Sequence, residues 1–75
     1  MKDLCLLKDQ SICRIAQIQG DKKFINKAAS MGLVNNIQLK VLQNSGKLPL
    51  ILYASDTMIA LNRKEACNIL VEEVS

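Results

Sequence analysis

Residues 21 to 41 read DKKFINKAASMGLVNNIQLKV, and the fold turns on where the rhythm of that stretch changes. Asp21 can accept a hydrogen bond from the free amides of a first helical turn. Phe24, Ala28 and Met31 recur at i, i+4 and i+7, so they share one helix face. Ile25 and Ala29 widen that stripe. Lys22, Lys23, Asn26, Lys27 and Ser30 fall mostly on the other side. Gly32 can take the left-handed conformation that closes a helix without steric cost. The spacing therefore predicts a helix from Asp21 to Gly32 and a turn through Asn35-Asn36. From Ile37 the period drops to two. Ile37, Leu39 and Val41 alternate with Gln38 and Lys40, as in a half-buried strand running from Ile37 to Gln43.

Upstream, LCLL at residues 4–7 is a short apolar lead, with Leu4 and Leu7 placed to cover one edge of a core. Lys8-Asp9-Gln10-Ser11 is a polar turn. ICRIAQIQ, residues 12–19, reads as a strand whose parity slips. A bulge near Ala16-Gln17 brings both Ile15 and Ile18 inward, and Gly20 ends it. Downstream, Asn44-Ser45-Gly46-Lys47 is a turn. LPLILYAS follows, with Leu48, Leu50 and Leu52 on one side and Ile51 and Tyr53 on the other. A strand apolar on both sides is central or covered by a partner. Pro49 suits its start. Ser55-Asp56 is a tight connection into TMIAL, with Ile59 and Leu61 inward. Asn62 can cap one helical turn, RKEAC, with Ala66 inward. NILVEEV ends the chain, with Ile69 and Val71 in and Glu72 out. The expected fold is mainly β: a small barrel of about five antiparallel strands, one helix after the first strand and a short helical turn before the last. Closure into a barrel would remove exposed strand edges.

Seventy-five residues read as a single domain, 1–75. A chain this short buries only about 60% of its unfolded surface, so its core is small. Hydrophobic residues make up 49%, too many for a disordered chain. No apolar run approaches the ~20 residues that cross a bilayer. MKDLCLLKDQ carries Asp3 and Asp9 and does not read as a secretory signal. A cytosolic setting follows as an expectation. Cys5, Cys13 and Cys67 are odd in number, widely spaced and without a C-x-x-C pair, so they read as reduced, buried small hydrophobes, with a disulfide or a thiolate metal site as the alternative. The net charge of +3 is too mild to demand nucleic acid.

Catalytic chemistry finds little to work with. There is no histidine, the commonest general base and metal ligand. Gly20, Gly32 and Gly46 each sit in a turn, so no phosphate loop is formed. Glu72 and Glu73 point to opposite faces of a strand and cannot act as a pair. The reading is a non-enzyme. Lys22, Lys23 and Lys27 are the most suggestive polar feature, either a docking face for an acidic or phosphate-bearing partner or an ordinary solvated face. A DNA-binding helix-turn-helix would need residues 36 to 44 to be helical, against the alternation seen there. An RNA-binding barrel would need several exposed aromatics, and this chain has only Phe24 and Tyr53.

The runs KAASMGLVNNIQLKVL, LP and MIALNRKEACNILVE, taken in that order, resemble the FeoA family, the small ferrous iron transport protein A. In that family a helix ends in R-L-x-x-M/L-G-h-x-P-G before a strand. Here Lys27-Ala28 stands for Arg-Leu, Met31-Gly32-Leu33 matches, and Asn35-Asn36 replaces Pro-Gly. Pro49 matches with Leu48 before it. Ala60-Leu61, Glu65-Ala66 and Ile69-Leu70-Val71 match, with Asn62 in place of Arg. The resemblance implies an SH3-like barrel in the cytosol that acts with FeoB, the ferrous iron permease with a cytosolic GTPase domain. It therefore implies recruitment to the inner face of the membrane, without insertion and without nucleic acid. Family members are also described as transition-metal-binding, and such domains form the C-terminal part of iron-dependent repressors. Ferrous iron is thus the one metal to consider, with its ligands unassigned. The contact residues inferred for a partner are Lys22, Lys23 and Lys27 on the helix and Leu50, Leu52 and Tyr53 on the doubly apolar strand.

Overall fold

The computed structural model describes residues 1–74. Its strands are β1 (Lys2–Asp3), β2 (Ile12–Ile18), β3 (Gln38–Gln43), β4 (Leu50–Ala54), β5 (Thr57–Leu61) and β6 (Ile69–Glu73). A 3-10 turn spans Leu4–Leu6, helix α1 spans Lys22–Ser30, and helix α2 spans Arg63–Ala66. All six strands belong to one sheet in the order β1-β6-β2-β3-β4-β5, and every pairing is antiparallel. The mainly-β, SH3-like architecture stands. Two details of the expectation change. There are six strands, because Lys2 and Asp3 add to the outside of β6. The sheet curls around the core without closing, since no ladder joins β1 to β5 among the described residues.

The helix forms and stops where its residues dictate. The Asp21 carboxylate accepts from the Phe24 amide at 2.9 Å. At the other end Leu33 N–H donates to Ala28 C=O at 2.9 Å and Gly32 N–H to Ala29 C=O at 3.0 Å. Those two bonds are the Schellman closure, and Gly32 supplies its left-handed residue at φ +88°. Leu33, the residue just beyond, is fully buried and ties the helix end to the core. Asn36 turns the chain at φ 74°, and its N–H donates to Ile15 C=O at 2.7 Å. Residues 38–43 are extended, which removes the helix-turn-helix alternative. Only Ala28 of α1 is fully buried, with Phe24 and Met31 packed beside the core. Ile25 and Ala29 face outward, because a helix laid on the rim of a small sheet covers only a narrow stripe.

The bulge in β2 is present. Ile15 pairs with Val71 and Gln17 with Leu70, leaving Ala16 as the extra residue. A second irregularity interrupts β3 against β4 between Val41 and Gln43. The β4–β5 hairpin turns on Ser55 and Asp56, both with positive φ (52° and 58°), the type I′ geometry whose twist matches the flanking strands. Asn62 and Glu65 form a reciprocal capping box on α2. Leu50, Leu52, Ala54, Ile59, Leu61, Ile69 and Val71 point into the core, with Cys13, Ile15, Leu39 and Val41 from the other half of the sheet.

Asn44 joins the two ends of the first half. Its Nδ2 donates to Cys5 C=O at 3.0 Å and also to Leu7 C=O. Its backbone N–H donates to Asp9 Oδ1 at 2.6 Å. This side chain holds the Leu4–Leu7 lead over the core, where Leu4 and Leu7 are both buried.

The cysteines correct the reading of three reduced thiols. Cys5 and Cys67 form a disulfide with Cα atoms 5.1 Å apart, and only Cys13 is free and buried. The two partners stand 62 positions apart. The pairing arises because the Leu4–Leu6 turn packs on the end of α2, a juxtaposition that spacing cannot reveal. Burial pushes the Cys13 thiol up to about 11, and the negative charge of Glu73 adds to the shift.

Two outcomes are expected. Asn44→Ala should lower unfolding free energy by roughly 1–3 kcal/mol in urea titration, since two carbonyls lose their donor. Alkylation without reductant, read by mass spectrometry, should label neither Cys5 nor Cys67, and Cys13 only slowly because it is buried and protonated.

Candidate interaction surface

Helix α1 carries the first group of candidate residues. Lys22 and Lys23 are exposed and take part in no ion pair among the described residues. They occupy a first turn that holds no acidic residue. Cations at a helix start oppose the helix dipole by roughly 0.3–1 kcal/mol each, and here the Asp21 carboxylate that caps the turn offsets part of that cost. Lys22, Ile25, Asn26 and Ala29 follow the i, i+3, i+4, i+7 spacing of one face. Beside that face lies a groove of about 240 Å³ lined by Ile18, Ile25, Ala29, Leu33, Val34 and Asn35. Ile25 is 38% exposed and Val34 44%. The result is a groove with mostly apolar lining, bordered by the helix face that carries Lys22, with Lys23 roughly 100° further round the helix.

Lys27 stands apart from its two neighbours. Its Nζ meets Glu65 Oε2 at 2.6 Å, so α1 is bonded to α2 through the same Glu65 that caps α2. The hydrogen bond from Lys27 holds the Glu65 carboxyl below the usual range. Partial desolvation opposes that shift, and the Asn62 amide reinforces it. Lys27 thus has a structural partner, while Lys22 and Lys23 face solvent.

The strand residues separate in the same way. Leu50 and Leu52 are fully buried, so they build the core and offer no contact surface. The correction has a simple cause. β4 lies between β3 and β5, so its inner side is buried by the domain itself. Tyr53 points the other way and is 45% exposed. It borders a depression of about 340 Å³ with Ile12, Gln38, Lys40, Ser55 and Asp56. None of the three lysines lines that depression, so helix and strand candidates form two surfaces.

Sequence reasoning missed the α1 groove. Its signal was present in Ile18 and Val34, apolar residues at element ends, and in Ile25, which the width of the stripe assigned to the core. A self-contained ferrous iron site does not fit these residues. No group of three or more His, Cys, Asp or Glu side chains converges among the described residues, and two of the three thiols are joined to each other.

The FeoA domain family matches residues 2–73. The chain belongs to the FeoA family. That membership implies a role in ferrous iron transport. The crystal structure of an iron uptake regulatory protein (FeoA) superposes with TM-score 0.90 at 21% identity over 96% of each chain. Iron(II) transport protein A from Clostridium thermocellum gives 0.88 at 27% identity, over 99% of this chain and 46% of that one. A manganese-dependent transcriptional repressor in complex with manganese gives 0.91 at 21%, over 97% of this chain and 36% of the repressor. No curated protein matches the sequence significantly.

The Lys27–Glu65 pair sets a pH dependence with a definite sign. A carboxyl held low in the folded state adds stability that is complete above its ordinary value of 4.5 and is lost as pH falls through the lowered one. Glu65→Gln keeps an acceptor for the cap but removes the charge. It should cost up to about 1 kcal/mol at pH 7. In denaturant titrations the gap from the unmodified protein should shrink steadily as pH drops below the ordinary glutamate value.

Proposed function

We propose that this FeoA-family chain is a regulatory interaction module that docks on the cytosolic part of a FeoB-type ferrous iron permease. The observation that carries the reading is the family match over residues 2–73. On this reading the protein works in the cytoplasm, at the inner face of the membrane, through contact with its partner. No helix among the described residues is long and apolar enough to cross a bilayer.

The α1 face is the docking surface. Its groove suits a short amphipathic segment, with Ile25 and Val34 meeting apolar side chains. Lys22 and Lys23 favour an acidic flank on that segment, since opposite charge raises the rate of encounter and fixes orientation. Lys27 supports the face by bonding α1 to α2. Docking at a rigid helix beside the sheet would let the module bias the permease between states without any chemistry of its own. Direct sensing of ferrous iron is the competing reading.

Calorimetry against the cytosolic domain of the permease tests the proposal. Binding is expected, with Ile25→Asp abolishing it and joint Lys22→Glu and Lys23→Glu weakening it by roughly tenfold or more. Failure of the unmodified protein to bind at high micromolar concentration would count against docking. Anaerobic titration with a ferrous salt should be thermally flat, whereas saturable heat would favour the sensing alternative.

A further inference from the structure

The two edges of the sheet are treated very differently. At one edge β1 has only two residues, and its Lys2 pairs with Glu73 at 2.9 Å. A short, charged edge strand is a standard guard against strand addition. At the other edge β5 reads TMIAL over five residues, without a charge or a proline. It pairs with β4 in unbroken register from Leu50–Leu61 to Ala54–Thr57. Nothing blunts this edge: its register holds no bulge, and its outer side pairs with no strand among the described residues.

The register tells which backbone groups face outward. The two-residue turn at Ser55-Asp56 makes Ala54 and Thr57 a hydrogen-bonded pair, and such pairs alternate along an antiparallel ladder. The amides and carbonyls of Thr57, Ile59 and Leu61 therefore serve β4. Those of Met58 and Ala60 point away from the sheet. Unpaired donors and acceptors at strand spacing select another strand as their partner.

We propose that β5 is a self-association edge, at which two copies of this chain pair antiparallel about a two-fold axis through Ile59. In that register Met58 of each copy lies opposite Ala60 of the other. Both pairs are of the hydrogen-bonded kind, and together they exchange about four backbone bonds. The ends of the strand also match. Asp56 of one copy falls opposite Asn62 of the other, the residue just before the basic pair Arg63-Lys64, of which Lys64 is exposed. A parallel arrangement would set Asp56 against Asp56. On the outer face Met58 is 66% exposed and is the cross-strand neighbour of Tyr53. The two-fold joins both Tyr53–Met58 pairs into one apolar stripe with Ala60. A closed two-fold contact of this kind is self-limiting. It also gives the second surface, around Tyr53, an occupant distinct from whatever meets α1.

A five-residue edge is smaller than a standard interface of about 1,600 Å², so the dimer is a weak one. Sedimentation velocity over about 10 μM to about 1 mM should show monomer passing to dimer. Over the same range, amide hydrogen exchange should slow at Met58 and Ala60 while Lys2 and Asp3 stay unchanged. Ala60→Pro removes an outward N–H without touching the ladder to β4, and Met58→Lys puts a charge on the edge. Each should remain monomeric throughout, with an unchanged circular dichroism spectrum verifying the fold. Should proline disturb the strand, Met58→Lys alone decides. A wild-type chain that is monomeric at the highest concentration, or a dimer that persists with Met58→Lys, would overturn the proposal.

Discussion

Strand β2 must satisfy a neighbour on each edge, β6 on one and β3 on the other, and this double demand shapes the molecule. The extra residue at Ala16 meets it. One inserted residue reverses parity, so Ile15 and Ile18 can both turn toward the core although three positions separate them. A bulge also bends and twists its strand. The sheet curls there, and the curl lets six short strands wrap one small core. Without it, either Ile15 or Ile18 would face solvent. In a domain this small, losing one large side chain from the core is a large fraction of total stability.

Around that bent strand the remaining elements act as fasteners. Leu33 follows the Schellman closure of α1 into the core. Asn44 holds the Leu4–Leu7 lead by two side-chain hydrogen bonds and meets Asp9 through its backbone amide. Glu65 caps α2 and meets Lys27, joining the two helices. The Cys5–Cys67 disulfide crosses the same region and ties the lead to α2. These polar fasteners lie at the rim, and no charged or polar residue is buried in the core among the described residues. The core residues are thus apolar.

The surface offers two separate regions, and their separation is informative. The α1 groove is lined mostly by apolar side chains, and the same helix carries the solvent-facing Lys22 and Lys23. The β5 edge presents backbone groups and apolar side chains with matched charges at its ends, a pattern complementary to itself. A small accessory domain that holds two such regions can be bound at one while the other is in use.

Local rules made much of this legible in the amino-acid order. The Asp21 cap, the Gly32 stop, the Ala16 bulge, the Ser55-Asp56 turn and the Asn62 cap each depend on residues a few positions apart, whose steric and hydrogen-bonding preferences act at that range. The same locality explains the failures. Cys5 and Cys67 are neighbours only after β6 has paired with both β1 and β2. Leu50, Leu52 and Tyr53 share one apolar run, yet the order of strands sends the leucines inward and leaves the tyrosine outside. Lys27 looks like Lys22 and Lys23 until α2 brings Glu65 against it. Periodicity determines which side of a strand or helix a residue takes. Only the packed sheet decides whether that side meets the core, another element or water, because burial belongs to the assembly of elements and not to any one of them.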